Sequence, residues 1–182
     1  LGPVRGLFHG ALTLRDGALG GLSAQDVEAV SRPKAGGAAA LHALFGERAL
    51  QFVVFFSSVL SLSGNPGQAP YTGACEAADA LAAWWGQTGR TRPTVLAWGH
   101  WGTVGAVAGA AWQERLGKIG LRPIRVDEGL DALERVIKAG PQEVAALWAD
   151  PTFLSRIHAE DAERLIFPPP VPPPAPPGRT RS

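Results

Sequence analysis

The chain has 182 residues, 46% apolar and 18% charged, with a formal net charge of +1. That length supports one well-buried domain of ordinary globular composition. Arginine is scattered from Arg5 to Arg181 with no basic stripe carrying interleaved aromatics, which argues against a nucleic-acid partner.

Short apolar runs alternate with Ala-rich amphipathic stretches, the pattern of an α/β domain built on a parallel sheet. Val4 to His9 is predicted as a first strand. Ser23 to Val30 is predicted as a helix, with Ser23 as N-cap and Asp26 in the first turn. Lys34 to Phe45 is a second helix entered through Pro33; its tandem Gly36 and Gly37 cost helix propensity and imply close packing. Phe52 to Ser57 is a buried central strand, and Ser61 to Pro70 a loop. Tyr71 to Gly86 is a long helix and Thr94 to Trp98 another strand. Gly99 to Gly109 is glycine-rich and expected to be mobile. Val126 to Lys138 is an amphipathic helix, Glu143 to Trp148 a last strand, and Thr152 to Ile166 a terminal helix.

Eight of the ten residues from Pro168 to Pro177 are proline, which suits an extended polyproline II spacer. The predicted division is a domain over 1–166 and a Pro-rich linker or tail over 167–182. The sequence contains no methionine, so it is expected to be a piece of a longer chain or a processed product. Cys75 is the only cysteine, which rules out an internal disulfide and a cysteine metal cluster. His9, His42, His100 and His158 form no metal-type pair at helical spacing. No apolar run reaches the roughly 18 to 20 residues needed to span a bilayer. A reducing, cytoplasmic setting is the expectation.

The chemistry concentrates between Phe52 and Cys75, FVVFFSSVLSLSGNPGQAPYTGAC. An apolar strand ends in two serines, and Tyr71, the only tyrosine, follows Ser58 by thirteen residues. A hydroxyl at a strand end and a phenol opening the next helix can meet one substrate oxygen. A phenol has an unperturbed pKa of about 10, so acid catalysis near neutral pH calls for a nearby cation. Of the three lysines, Lys34 begins the helix ahead of the serine strand and can reach the same strand-end crevice, where open parallel sheets bind ligands. The reading is carbonyl reduction: Tyr71 as general acid, Ser58 orienting the carbonyl, Lys34 lowering the phenol pKa. Hydride must then come from a nicotinamide. The bland alternatives are an ordinary strand end, a packing tyrosine and a solvated lysine.

Five segments in order, FHGALTLRDGAL at 8–19, LSAQDVEAVSRPKAGGAAALHAL at 22–44, FVVFFSS at 52–58, GNPGQAPYTGACEAADALAAW at 64–84 and VLAWGHW at 95–101, resemble the catalytic part of a ketoreductase domain from a modular polyketide synthase. These domains are a branch of the short-chain dehydrogenase/reductase superfamily. The resemblance implies a Rossmann-like parallel sheet with flanking helices. It implies NADPH as cofactor, a β-ketoacyl thioester on an acyl carrier protein as substrate, and other polyketide synthase domains as partners. It assigns the lysine of PK-x-x-G to Lys34, the serine to Ser58 and the tyrosine to Tyr71. Cofactor-lining positions fall on His9, Gly10, Ala11, Lys34, Trp98 and Gly99.

The chain departs from that pattern in several places. Cys75 stands where the family has an asparagine four residues after the tyrosine, and a thiol is a weak substitute for a carboxamide. The HAAG segment reads His9-Gly10-Ala11-Leu12, and the WGPW segment reads Trp98-Gly99-His100-Trp101. LDD reads Leu14-Arg15-Asp16, which retains Asp16 as a substrate-orienting residue. Ser63 replaces the tryptophan of the opposite stereochemical class, so the resemblance is to the B-type class giving a D-configured hydroxyl. No G-x-G-x-x-G is present, so the N-terminal half of the dinucleotide fold is expected to be missing and NADPH binding by the chain alone weak. The alternative function is a redox-inactive scaffold between synthase domains.

Overall fold

The computed structural model describes residues 2–105 and 110–157. Four parallel strands form the central sheet in the order β1 (Gly6–His9), β2 (Phe52–Ser58), β3 (Thr94–Trp98) and β5 (Glu143–Ala146). Each crossover is helical. Helices α1 (Ala24–Ser31) and α2 (Gly37–Phe45) lie between β1 and β2, α4 (Ala69–Thr88) lies between β2 and β3, and α6 (Val126–Ala139) precedes β5. The register sets Ser58 beside Trp98 and His9 beside Phe55, so the strands finish at one edge.

Alternation along β2 explains the layers. Val53 and Phe55 face α2 and α4, where they pack with Ala38, Ala78, Ala82 and Trp85. Val54 and Phe56 face the other way, with Leu96 and Trp98, onto Ala132 and Val136 of α6. A third cluster covers the carboxyl ends of the strands. There Val59, Ala97, Ala145 and Leu147 meet Leu116, Leu121, Phe153 and Ile157. These come from α5 (Ala110–Lys118), from an antiparallel pair of β4 (Leu121–Arg122) with β6 (Trp148–Ala149), and from α7 (Pro151–Leu154) with the residues after it.

Local signals set several boundaries. Ser23 caps α1 with a reciprocal bond to Asp26, as expected from sequence. The second predicted helix does not start afresh at Lys34. The chain runs on from α1 through a π-type turn, Arg32–Gly36, into α2. Pro33 has no N–H to give the helix ladder, and the Gly37 N–H bonds Arg32 O five residues back. The predicted loop after β2 contains the short helix α3 (Leu60–Ser63), and α4 begins two residues before Tyr71. The predicted last strand ends at Ala146, and Trp148–Ala149 turns away to pair with β4. Residues 106–109 of the glycine-rich loop and 158–182, with the predicted linker and most of the predicted terminal helix, lie outside the described residues. Among the described residues no helix is long and apolar enough to cross a membrane.

Candidate active site

A cavity of ≈ 340 Å³ opens beyond the carboxyl ends of β1, β2 and β3. Lys34, Ser58 and Tyr71 all line it, as do Gly10, Leu12, Leu14, Trp98 and Gly99. Three elements that are distant in sequence therefore deliver the three predicted groups to one space. Ser58 arrives at the last position of β2, Tyr71 in the first turn of α4, and Lys34 from the π turn.

Lys34 is buried at 3% exposure, although an early helical lysine is ordinarily solvated. Its ammonium donates to Phe56 O at 2.7 Å and lies 5.8 Å from the centre of the Tyr71 ring. The turn that carries it is pinned from below, since His9 Nε2 bonds Lys34 O at 2.7 Å. A Cβ on Gly37 would stand 2.8 Å from His9 Cε1, so only glycine admits the ring here. The close packing expected of the tandem glycines is thus found at Gly37, whereas a Cβ on Gly36 would meet only Arg32 Cγ at 3.8 Å.

The Tyr71 phenol interacts with the Cys75 thiol and the Ser58 hydroxyl. Burial raises its pKa above the ordinary value, Cys75 adds to the rise, and Ser58 opposes it. The sequence reading expected Lys34 to lower the phenol pKa. Here desolvation dominates, and the ammonium is already engaged by Phe56 O. Burial also raises the Cys75 thiol pKa, while the Lys34 charge pulls it down. The Ser58 oxygen accepts from Leu60 N at 3.2 Å, which leaves its proton free to point into the cavity.

The remaining sequence candidates divide by position. Gly10, Trp98 and Gly99 line the cavity, with the Trp98 ring edge-on to Trp101 at 4.9 Å. His9 does not line it; its imidazole is buried at 5% exposure and turned toward the Lys34 backbone, so its side chain supports the lysine. Burial lowers the His9 pKa. Ala11 is exposed and outside the lining. Asp16 is exposed and also outside the lining. It accepts from Gln68 Nε2 at 2.9 Å, and Gln68, 2% exposed, does line the cavity. A backbone bond from Gly17 N to Gly67 O ties the same two loops together.

Sequence reasoning missed Asp79. It lies four and eight residues after Cys75 and Tyr71 on one face of α4, and Ser57 Oγ donates to it at 2.5 Å. Burial pushes its carboxyl up to about 6. The i, i+4, i+8 spacing was legible, but nothing in the sequence showed that this face points at the sheet. His100 also went unassigned to the cavity, which it lines with an imidazole whose pKa is lowered by burial. Among the described residues no group of His, Cys, Asp and Glu could hold a metal.

A parallel sheet of this order with flanking helices is the short-chain dehydrogenase fold. A short-chain dehydrogenase from Streptomyces avermitilis superposes with a TM-score of 0.62 at 18% identity, over 84% of this chain and 62% of its own. Residues 1–103 match the KR domain family, and the chain belongs to that family, the ketoreductase domains of polyketide synthases. Relatives include a phenolphthiocerol/phthiocerol polyketide synthase protein of Mycobacterium tuberculosis, 36% identical over 76% of this chain and 7% of its own length. Polyketide synthase GfsA of Streptomyces halstedii is 36% identical over 81% of this chain and 2% of its own. Among solved structures, the first ketoreductase of the tylosin polyketide synthase is 35% identical with a TM-score of 0.68, covering 79% of this chain and 31% of its own. A-type ketoreductases from a modular polyketide synthase give a TM-score of 0.77 at 27% identity, covering 86% and 34%. The chain thus spans a few per cent of these synthases and about a third of these ketoreductase chains.

Proposed function

We propose that the chain carries the reacting end of an NADPH-dependent ketoreductase that acts on a β-ketoacyl thioester held by an acyl carrier protein within a polyketide synthase. One observation supports this above the others: a phenol, an alcohol and an ammonium group, from three elements, line one cavity at the strand ends. The cavity fits the nicotinamide end of the cofactor. It lies where parallel sheets take such ligands, Gly10 and Gly99 bring bare backbone to it, and its walls are mostly apolar. Gly10, Lys34, Trp98 and Gly99 are the residues that would hold that end.

When bound, the nicotinamide supplies the hydride received by the carbonyl carbon. Ser58 donates its proton as a hydrogen bond to the ketone oxygen and fixes its direction. Tyr71 transfers the phenolic proton to that oxygen as negative charge develops there, so the product is the β-hydroxyacyl thioester. Burial keeps the phenol protonated at neutral pH, so the proton is on hand. Lys34 places a fixed positive charge beside the ring, which steadies the phenolate left behind. Phe56, Trp98 and Trp101 keep water away from the reacting atoms. Asp16 acts on substrate orientation through Gln68.

The test is NADPH-dependent reduction of a β-ketoacyl thioester by a synthase module carrying the wild-type chain or Tyr71→Phe. The variant should lose about 10²- to 10⁴-fold in turnover, the usual worth of a positioned acid. Undiminished turnover would remove Tyr71 from its role. A wild-type module that neither binds NADPH nor turns over would favour the redox-inactive scaffold, for which Cys75 at the asparagine position is the supporting observation.

A further inference from the structure

Asp79 is a half-buried ionisable side chain with no part in the mechanism above. Asp79 shares a face of α4 with Tyr71 and Cys75, one helical step apart in each case. Ser57, on the α4 side of β2, donates to its Oδ2 at 2.5 Å. Its Oδ1 is buried and has no hydrogen-bond partner among the described residues. A carboxylate with one oxygen left unmatched is a costly way to hold a serine, since an amide would make the same bond without carrying charge. The charge therefore needs an explanation beyond packing.

The surroundings supply one. From the π turn the Lys34 ammonium acts on Asp79 attractively; Glu76 on the same helix and Glu143 on β5 act repulsively; Ser57 is the direct donor. Asp79 in turn acts on Tyr71 and Cys75, raising the pKa of both. Lys34 pulls Cys75 the other way. The face of α4 is thus set between a cation at the cavity and an anion behind it.

We propose that Asp79 is a positioning residue for proton transfer, a carboxylate clamped by Ser57 that adds to burial in keeping the protons on Tyr71 and Cys75. Its consequence for turnover rests on the ketoreductase reading; its effect on the phenol does not. Tyr71 is the single tyrosine, so ¹³C labelling at tyrosine Cζ gives one NMR line that reports this site alone. In the wild-type chain that line should move with an inflection near pH 6 as Asp79 ionises. In Asp79→Asn the inflection should vanish, and the phenol should ionise at lower pH than in the wild type. His9 titrates too, but its signature survives the Asp79 substitution. Should Asp79→Asn fail to fold, Ser57→Ala keeps the carboxylate and removes its donor, and the inflection should rise in pH. A tyrosine line blind to Asp79→Asn, or an inflection unmoved in Ser57→Ala, overturns the proposal. A phenol that shifts as expected in a module that reduces nothing would uphold Asp79 and sink the ketoreductase reading.

Discussion

Asp79→Asn should stabilise the fold at alkaline pH and not at acid pH. Burial pushes the Asp79 carboxyl from its ordinary 3.8 up to about 6, roughly two units. At about 1.4 kcal/mol per unit, that is about 3 kcal/mol. The folded state holds this proton more tightly than the unfolded chain does. The stabilisation is therefore complete below about pH 3.8 and is lost as pH rises through about 6. At pH 8 the wild type bears the whole penalty, and a neutral side chain of the same shape escapes it. The Asn carbonyl can still accept from Ser57, but its NH₂ lands where Oδ1 has no partner among the described residues, which costs about 1 kcal/mol. The net expectation is a gain of about 2 kcal/mol near pH 8 and a loss of about 1 kcal/mol near pH 4. Urea unfolding of both proteins at the two pH values measures it, and other carboxylates cancel in the difference. Equal destabilisation at both pH values would show that Asp79 is not a buried, destabilised charge.

Lys34→Met should keep the fold while cutting turnover by about 10²-fold or more, checked by steady-state rates beside near-UV circular dichroism. Gly37→Ala should destabilise by about 1–3 kcal/mol in urea, because the new methyl meets His9 Cε1 at 2.8 Å, and should cost activity by displacing the lysine turn. Gly120→Ala should destabilise by about 2 kcal/mol or more in the same assay, since φ is +89° and the added Cβ collides with the Asp150 carboxylate that caps α7. It should leave the acid–base residues in place, so surviving folded protein should keep its rate at low temperature.

The sheet was readable because its strands are short apolar runs set between helical periods, and Phe52 to Ser58 carries both faces in alternation. The α1 cap was readable from Ser23 and Asp26 alone. What escaped depends on neighbours far along the chain. The π turn leaves no periodic trace of its own; Pro33 signalled a helix entry, yet α1 already packs there and the chain widens to pass it. The break after Ala146 needed knowledge that Leu121–Arg122 would offer an antiparallel partner to Trp148–Ala149. At the site, Ser58, Tyr71 and Lys34 were legible as residue types in order. The direction of the phenol pKa was not, because desolvation depends on what covers the ring. His9, expected from sequence to line the cofactor, lies outside the cavity lining, and its support of the lysine turn emerges only when its ring is seen against Gly37 and bonded to Lys34 O.

The delivery of Lys34 shows how the fold makes an unlikely residue usable. A lysine in the first turns of a surface helix gains most by reaching water, and burying its ammonium is unfavourable without compensation. Three local features reverse that preference. Pro33 removes an N–H and the backbone widens to a five-residue bond, which rotates the face presented to the sheet. Gly37 brings the following turn down onto the His9 ring, and that ring holds the Lys34 carbonyl. Phe56 O, one residue past the end of the pairing between β1 and β2, then accepts the ammonium. Pro33 and Gly37 stay outside the space where a substrate would lie and Phe56 borders it, and together they put the charge at its edge. The same sheet edge that frees Phe56 O also presents Ser58 two residues on, so one strand end orients both the cation and the alcohol. A single widened turn, the end of β2 and the first turn of α4 thus bring the ammonium, the alcohol and the phenol to one cavity.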